Sequence, residues 1–498
     1  MLDLERGLQK GAELVVDIEG VTDRGLGRGQ VEAIVGPQRE HITYEVFVRK
    51  AVPGDRVRVE VERIRRRRCT CHILEFIEKS PIRIEPRCPH FGRRELSGEG
   101  CGGCTYQELS YRHQLAIKER RIKEHFIAEG LDPGLVLPLK GMDQPWFYRN
   151  KMVFSFGDTA ERDFALGLHP TGYSYEIVNL ETCYLQSEFV AKFVPALRRW
   201  AIERQLKPWR NTSRDGLLLE LMVREGKQTG ERMVELVTTA DESVSMDGQR
   251  VPAQQVGRAF CDFSLAQAEA LGQKITSVYW TQKLARKGQS TRWIEHHLHG
   301  QAVLHEELHL PDDRSLRFAI HPRAFFQPNT LGAQILYGEV IEKAGLEKGH
   351  GKVLDLYSGT GTIGLCLAPF CQEVYGIEMQ TDAVENARRN AEYNGIDNIE
   401  FFAGDVGDVL KSEQFFPICD EIDLTVVDPP RGGLQRSAIE QILEIGAPHL
   451  VYISCNPATL APNLRDLQKG GYQLEIVQPV DMFPQTYHVE CVALLRRS

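Results

Sequence analysis

The run Val353-Leu354-Asp355-Leu356-Tyr357-Ser358-Gly359-Thr360-Gly361 joins a predicted buried strand to a glycine-rich turn. Glycine lets the backbone turn sharply and approach a ligand closely at such a point. Apolar runs recur at intervals of about 20 to 25 residues, which is typical of βαβ units in a parallel sheet. The predicted parallel strands are Val353–Leu356, Glu373–Ile377, Ile399–Ala403, Leu424–Val427 and Leu450–Ile453. An antiparallel pair, Gln473–Val480 and Val489–Leu495, closes the sheet, so residues 316–498 are predicted to form a Rossmann-like α/β domain.

Carboxylates follow three neighbouring strands of this predicted sheet. Glu378 ends the second strand, Asp405 follows the third, and Asp428 follows the fourth. A carboxylate at the end of the second strand can accept hydrogen bonds from both hydroxyls of a ribose. So many acidic groups would repel the pyrophosphate of a dinucleotide, whereas S-adenosylmethionine carries two positive groups and no phosphate. The pattern therefore favours S-adenosylmethionine over NAD; an α/β scaffold that binds no nucleotide is the alternative.

Two strand ends carry the candidate reactive groups. One strand runs into Asp428-Pro429-Pro430-Arg431, and the next runs into Ser454-Cys455-Asn456-Pro457. An aromatic residue after Asp-Pro-Pro would suggest methylation of an exocyclic amine, but arginine occupies that position. A thiolate that adds to C6 of uracil instead makes C5 an enolate-like carbon able to accept a methyl group. Because the C5 proton must then leave, a general base is required, and Glu490 is the candidate. An inert buried thiol is the alternative for Cys455.

The segment Phe325-Phe326-Gln327-Pro328-Asn329 precedes the predicted parallel sheet. Its aromatic rings could stack on a base, and the Gln327 amide could bond a cofactor or the edge of a uracil. A packed junction between domains is the alternative, and it stays equally open for Phe326.

These motifs, in this order along the chain, resemble those of the RNA uracil-5-methyltransferase family, in particular its ribosomal RNA branch. The resemblance covers most of the chain and includes His488-Val489-Glu490. It implies that Cys455 is the nucleophile and Glu490 the base, and that Phe325 packs against an extruded target base. The family positions associated with S-adenosylmethionine correspond here to Gln327, Tyr357, Thr362, Glu378, Asp405 and Asp428.

Residues 1–80 contain short apolar runs separated by turns, the pattern of a small OB-like β-barrel. The predicted strands are Glu13–Ile18, Gln30–Val35, Glu45–Val48 and Val57–Ile64. From Arg49 to Arg68, nine Lys or Arg residues stand against three Asp or Glu residues. Such an excess either neutralises RNA phosphates or forms a solvated strand end. The resemblance identifies this barrel with the family's RNA-binding TRAM domain.

Four cysteines are candidate metal ligands in the predicted central α+β domain, residues 81–315. They are Cys88, Cys101, Cys104 and Cys183. The Cys-x-x-Cys pair fits zinc or an iron–sulfur cluster; spacing slightly favours zinc, whereas the resemblance implies a [4Fe-4S] cluster. The loop between the first two cysteines is longer than in the family, with Arg93 to Gly100 inserted. A helix within residues 105–130 follows, and in the family this helix packs on the catalytic domain.

The composition is that of a soluble protein, with 42% hydrophobic and 26% charged residues among 498, enough for two or three domains. A net charge of −9 argues weakly against a nucleic-acid partner, although it averages over domains. No apolar run is long enough to span a bilayer, and Met1 to Lys10 lacks the apolar stretch of a signal peptide. A cytoplasmic protein with reduced thiols is therefore expected.

The sequence thus predicts an enzyme that uses S-adenosylmethionine to methylate C5 of a uridine in 23S ribosomal RNA or its precursor. No feature of the sequence indicates a membrane or a protein partner. The same reaction on tRNA is one alternative, and a non-catalytic RNA-binding iron–sulfur protein is another.

Overall fold

The structure is a computed structural model of the chain. It describes residues 2–4, 7–94, 98–158, 163–172, 175–286, 288–345, 351–419 and 421–497. Within these residues, three seven-stranded sheets follow one another along the chain, and three two-stranded ladders accompany them. The multidomain α/β architecture agrees with the sequence prediction. Among the described residues, no helix combines the length and the apolarity needed to cross a bilayer.

The first sheet contains the four strands predicted between residues 10 and 80, together with β7, which was not predicted because its apolar alternation fades after Cys71. The sheet curls until β2 approaches β4: a Cβ at Gly29 would lie 2.3 Å from the carbonyl oxygen of Asp17. The order is β1-β4-β5-β7-β6-β2, with β3 paired to β4. The strands are β1 (Leu2–Leu4), β2 (Glu13–Asp17), β3 (Gly20–Val21), β4 (Gly27–Val35), β5 (Glu40–Val48), β6 (Arg56–Arg65) and β7 (Arg68–Glu78).

The second sheet has the order β12-β11-β10-β13-β14-β17-β18, and α2 and α3 pack against it around Phe193, Phe260 and Trp280. Two short hairpins, β15–β16 and β19–β20, lie outside this sheet, as does the ladder β8–β9 that precedes it. The elements of this region are β8 (Arg93–Arg94), β9 (Gly98–Glu99), α1 (Tyr111–Ala128), β10 (Lys151–Gly157), β11 (Ala165–Leu168), β12 (Val178–Asn179), α2 (Glu188–Glu203), β13 (Leu218–Glu225), β14 (Arg232–Thr239), β15 (Ser243–Met246), β16 (Gln249–Pro252), α3 (Gln254–Ala270), β17 (Ser277–Leu284), β18 (Arg292–Gly300), β19 (Leu304–His309) and β20 (Ser315–Ile320).

The third sheet has the order β23-β22-β21-β24-β25-β27-β26. Its first five strands are parallel and β27 runs antiparallel between β25 and β26, which confirms the predicted strands and their pairing. All four residues of β24 are buried, as expected for a parallel sheet covered on both faces. The elements are α4 (Thr330–Ala344), β21 (Lys352–Leu356), α5 (Thr362–Leu367), β22 (Glu373–Glu378), α6 (Thr381–Tyr393), β23 (Ile399–Ala403), α7 (Val406–Leu410), α8 (Phe416–Cys419), β24 (Leu424–Val427), α9 (Arg436–Ile445), β25 (His449–Ser454), α10 (Pro457–Lys469), β26 (Tyr472–Val480) and β27 (Glu490–Arg497).

Helix α1 precedes the second sheet in sequence but bonds to the segment that connects β26 to β27. Lys118 Nζ lies 2.7 Å from Asp481 Oδ1, and both side chains are fully buried. Gln114 Nε2 donates to Gln485 Oε1 at 2.9 Å, and Arg121 donates to the carbonyl oxygen of Tyr487 at 2.8 Å. These bonds hold the segment that leads directly into Glu490.

Candidate active site

A cavity of about 490 Å³ opens beyond the carboxyl ends of the parallel strands. In open α/β sheets ligands bind at this edge. We call it the acidic cavity because Asp428 and Glu490 line it. Six of the predicted site residues lie in its wall: Gln327, Tyr357, Thr362, Asp428, Cys455 and Glu490.

Cys455 follows the last residue of β25 in a turn tied by hydrogen bonds. Asn456 caps α10 by accepting from the Ala458 N–H at 3.2 Å, and its amide donates to the carbonyl oxygen of Arg431 at 3.1 Å. The thiol is half-buried. Burial, followed by the charges of Glu490 and Asp428, raises the pKa of Cys455 to about 11, while Arg431 opposes the shift. In the empty cavity these surroundings therefore favour the protonated thiol.

Glu490 begins β27, whose next residue, Cys491, pairs with Ser454. This register places the glutamate beside the turn that carries Cys455. Only 5% of Glu490 is exposed, and burial together with the Asp428 charge raises the pKa of its carboxyl well above the ordinary value. Burial also raises the pKa of Asp428 to about 7. Carboxyl groups with raised pKa values at a cavity are typical of acid–base sites.

The glycine-rich turn after β21 forms another wall of the acidic cavity. Tyr357 adopts a left-handed backbone conformation, with φ of 63°, which is uncommon for a residue with a side chain. The Gly359 N–H donates to Glu378 Oε2 at 3.0 Å, and a Cβ placed on this glycine would meet no atom within 4 Å. Ser358 Oγ is buried and has no hydrogen-bond partner. An open backbone and an orphaned hydroxyl fit a polar ligand such as S-adenosylmethionine.

Two predicted cofactor residues do not line the acidic cavity. Glu378 accepts hydrogen bonds from the backbone N–H groups of Gly359 and Gln380, so it fixes the glycine turn. Asp405 caps α7 by accepting from the Gly407 N–H at 2.9 Å. Burial and the charge of Asp405 together raise the pKa of Tyr357, so this aspartate lies near the cavity wall.

The two phenylalanines before the parallel sheet have different surroundings. Phe325 is 65% exposed and lines the acidic cavity, where a base could stack on it. Phe326 is 5% exposed and packs against Phe318, with ring centroids 5.6 Å apart. The stacking position therefore falls on Phe325, and Phe326 belongs mainly to the core.

The sequence motif containing His488 did not assign a role to that histidine. Its ring lies against Tyr487 and Phe483, with centroid distances of 4.2 and 5.7 Å, and it lines the acidic cavity. Burial and nearby cations, first among them Arg431, lower its pKa to about 4. His488 is therefore a neutral wall residue at physiological pH.

The four candidate ligand cysteines line a separate cavity, the cysteine cavity; three of them are buried and Cys183 is half-buried. Burial raises the pKa of Cys104 and of Cys183 to about 12, with smaller contributions from the neighbouring thiols. Among the described residues, however, no group of three or more His, Cys, Asp or Glu side chains is arranged to hold a metal ion. The donor set has the chemistry of a thiolate metal site, while its arrangement is not that of a formed one. The predicted insertion, Arg93 to Gly100, lies partly outside the described residues; β8 and β9 fall within it.

The chain is similar to known RNA methyltransferases over nearly its full length. It is 34% identical to an uncharacterized RNA methyltransferase of Clostridium tetani over 492 residues, 99% of each chain. It is 37% identical to one of Protochlamydia amoebophila over 457 residues, 89% of this chain and 98% of the relative.

A solved structure is similar over nearly the whole chain. The tRNA (uracil-54, C5)-methyltransferase of Pyrococcus abyssi, in complex with S-adenosyl-L-homocysteine, superposes with a TM-score of 0.69 at 26% identity, covering 97% of this chain and 100% of that one. The sequence profile of the tRNA (uracil-5-)-methyltransferase family matches residues 263–498, which include all the residues lining the acidic cavity. The chain belongs to this family of RNA uracil-5-methyltransferases.

Proposed function

We propose that the protein methylates C5 of a uridine in 23S ribosomal RNA, with Cys455 as nucleophile and Glu490 as general base. The observation that carries this proposal is that both side chains line one cavity together with Asp428 and the glycine-rich turn. A thiol and a buried carboxyl on neighbouring strand ends can act on adjacent atoms of one ring.

The steps on the substrate follow from these two side chains. The Cys455 thiol loses its proton, and its sulfur bonds to C6 of uracil while the C5–C6 π electrons move toward the C4 carbonyl. C5 is then nucleophilic and forms a bond to the methyl carbon of the donor, whose bond to the sulfonium sulfur breaks; the electron pair stays on that sulfur, and the demethylated cofactor is the leaving group. Glu490 removes the C5 proton, the C5–C6 double bond re-forms, and the sulfur–C6 bond breaks to return the thiolate.

S-adenosylmethionine, when bound, supplies an electrophilic methyl group on a sulfonium sulfur. We assign its binding to Gln327, Tyr357, Thr362 and Asp428 in the cavity wall, with Glu378 and Asp405 shaping the turn and helix beside it. Negative side chains around a positive sulfonium and ammonium stabilise the bound cofactor. The Pyrococcus abyssi relative was solved with the demethylated product of this cofactor, which supports the assignment.

The N-terminal sheet is the proposed TRAM-like RNA-binding module. The basic run Arg65 to Arg68 lies at the turn between β6 and β7, and all four of its residues are exposed. One of them, Arg68, pairs with Glu45 at 2.8 Å. The other three have side chains available for the phosphates of an RNA that reaches the acidic cavity.

A tRNA substrate is the second candidate. The Pyrococcus abyssi structure is that of a tRNA methyltransferase, and the similarity extends over 97% of this chain and 100% of that one. The overall fold therefore does not by itself separate a ribosomal from a transfer RNA substrate. A non-catalytic RNA-binding protein is disfavoured because Cys455 and Glu490 both face the same cavity.

Methyl transfer from labelled S-adenosylmethionine to total RNA of a strain lacking the gene tests the proposal. We expect the label in 23S ribosomal RNA, as 5-methyluridine. Label found only in tRNA would show that the substrate is tRNA, the second candidate. RNA binding without any transfer would favour the non-catalytic protein.

We also propose that Cys88, Cys101, Cys104 and Cys183 hold a [4Fe-4S] cluster, with zinc as the alternative metal. The support is that all four cysteines line one cavity, three of them buried and Cys183 half-buried. When bound, such a cluster would tie the Cys101–Cys104 turn to the segment around Cys183. Protein purified without oxygen should show the visible absorption of an iron–sulfur cluster. A colourless protein with one equivalent of zinc would reverse the choice.

A further inference from the structure

A second cleft, of about 510 Å³, shares Phe325, Pro328 and His488 with the acidic cavity. Its charged lining has the opposite sign. Arg149, Lys151 and Arg224 line it, and no Asp or Glu does so among the residues that the structure describes. We call it the basic cleft. The proposed mechanism uses none of its three cations.

Two of the cations face each other across neighbouring strands. Lys151 begins β10 and pairs in register with Arg224 on the antiparallel strand β13. Like charges directly opposite in a sheet destabilise the fold. Arg149 lies two residues before Lys151, outside β10, and also lines the cleft. A cleft lined by three cations gains stability when an anion binds there.

The donors of the basic cleft are not satisfied within the protein. Arg224 is 1% exposed, and its Nε and Nη1 atoms are buried without a hydrogen-bond partner, while Nη2 donates to the Ala324 carbonyl at 2.8 Å. The Nε of Arg149 is likewise buried and unpartnered. Lys151 Nζ lies 3.5 Å from the Pro322 carbonyl oxygen, at the limit of a hydrogen bond. Buried charged donors without partners are costly, which is typical of a site prepared for a ligand.

Carboxylates near the cleft do not cancel these cations. Glu235 attracts both Lys151 and Arg224, but it accepts a hydrogen bond from Thr281 at 2.6 Å and does not line the cleft. Burial, with Arg224 and Arg323 nearby, lowers the pKa of Lys151 to about 8. Burial also lowers the pKa of Arg224 to about 10. Burial is the largest cause of both shifts, and the attraction of Glu235 offsets it only in part.

We propose that the basic cleft binds a phosphodiester of the RNA adjoining the target nucleotide, with the Arg224 guanidinium as the central donor. This inference rests on the proposed function, since it takes the nucleotide in the acidic cavity as its starting point. A base that enters the acidic cavity stays joined to its phosphates, and the shared wall at Phe325 and His488 is where the backbone must pass. The cations of the cleft offer donors only, and phosphate oxygens are acceptors only. A guanidinium with free donors matches them in pairs.

RNA binding by Arg224→Gln and Lys151→Met tests the proposal in the absence of cofactor. Each variant should weaken binding of oligouridylate by at least about tenfold. Each should also lower the slope of log Kd against log salt concentration by about one, because one phosphate contact is lost. In turnover, KM for RNA should rise while kcat changes little. Arg204→Gln is the control, since Arg204 pairs with Asp247 and does not line the cleft.

Oligouridylates that each carry one neutral methylphosphonate linkage locate the contact. At one position, the neutral linkage should lower the affinity of the wild-type protein for the oligouridylate. The same linkage should not lower the affinity of Arg224→Gln any further. An unchanged salt slope in both variants, or equal losses at every linkage for wild type and variant, would overturn the proposal. If thermal unfolding shows that Arg224→Gln does not fold, the measurements on Lys151→Met alone decide whether the proposal holds. These measurements need no methyl transfer. Methylation of another base would therefore refute the proposed function without contradicting the proposal that the basic cleft binds a phosphodiester.

Discussion

The acidic cavity and the basic cleft share a wall, but burial shifts the pKa values of their ionisable groups in opposite directions. Burial raises the pKa values of Asp428, Glu490 and Cys455 in the first and lowers those of Lys151 and Arg224 in the second. Each site therefore disfavours its own ionised groups when the protein is empty. We propose that the acidic cavity holds the groups that exchange protons in the reaction, whereas the cations of the basic cleft bind the RNA. The difference indicates a division between chemistry and substrate holding, which the following variants test.

Cys455→Ala should have the largest effect and should act on the acidic cavity alone. Loss of the nucleophile is expected to lower kcat by about 10⁴-fold or more, because no other thiol in the cavity wall can replace it. Binding of S-adenosylmethionine, measured by calorimetry, and of oligouridylate should stay within about twofold of wild type. Substantial remaining turnover would remove Cys455 from its proposed role.

Glu490→Gln should separate bond formation to C6 from loss of the C5 proton. A positioned general base contributes about 10² to 10⁴ in rate, so turnover should fall by that range. Because the sulfur–C6 bond forms before the proton leaves, a covalent protein–RNA adduct should accumulate and migrate slowly on a denaturing gel. The double variant with Cys455→Ala should give no such band. Absence of the band in Glu490→Gln itself would count against this order of steps.

The rate at which Cys455 is alkylated should depend on pH, with an effect that is smaller and graded. With the pKa of Cys455 raised to about 11, the thiolate fraction rises with pH throughout the neutral range. Glu490, whose pKa is also raised, becomes ionised in the same direction. Without substrate, alkylation of Cys455 by iodoacetamide should therefore speed up by nearly tenfold per pH unit from about pH 6 to about pH 9. A rate that levels off near pH 7 would mean that the thiol is activated before RNA binds.

The third sheet could be predicted from sequence because its signals are local. Each parallel strand is a short apolar run, and Leu424–Val427, for example, ends directly before the candidate residue Asp428. Because such strand ends meet at one edge of the sheet, the sequence alone predicts that Cys455 and Glu490 lie close together. The roles of Glu378 and Asp405 were harder to predict, since both side chains turn to backbone N–H groups that no sequence pattern reveals.

The basic cleft was not predicted, because its residues meet only through tertiary pairing. Arg149 and Lys151 could have been noticed as two cations close together in the sequence. Arg224 lies 73 positions beyond Lys151 and reaches it through the register of β10 on β13. The second sheet gave no regular spacing that would fix such a register. The strand β7 was missed for a related reason, since exposed charged residues interrupt its apolar alternation.

The buried pair of Lys118 and Asp481 joins positions 363 residues apart, and this has a consequence for biosynthesis. Helix α1 leaves the ribosome long before its counter-ion is translated. Until then, Lys118 cannot be buried without an uncompensated charge, so the apolar face around Ile122 and Phe126 remains available to chaperones. The segment that contains Asp481, which is translated late, also leads into Glu490. A nascent chain thus acquires its helix docking and its candidate base at one stage of translation, and no shorter intermediate has both.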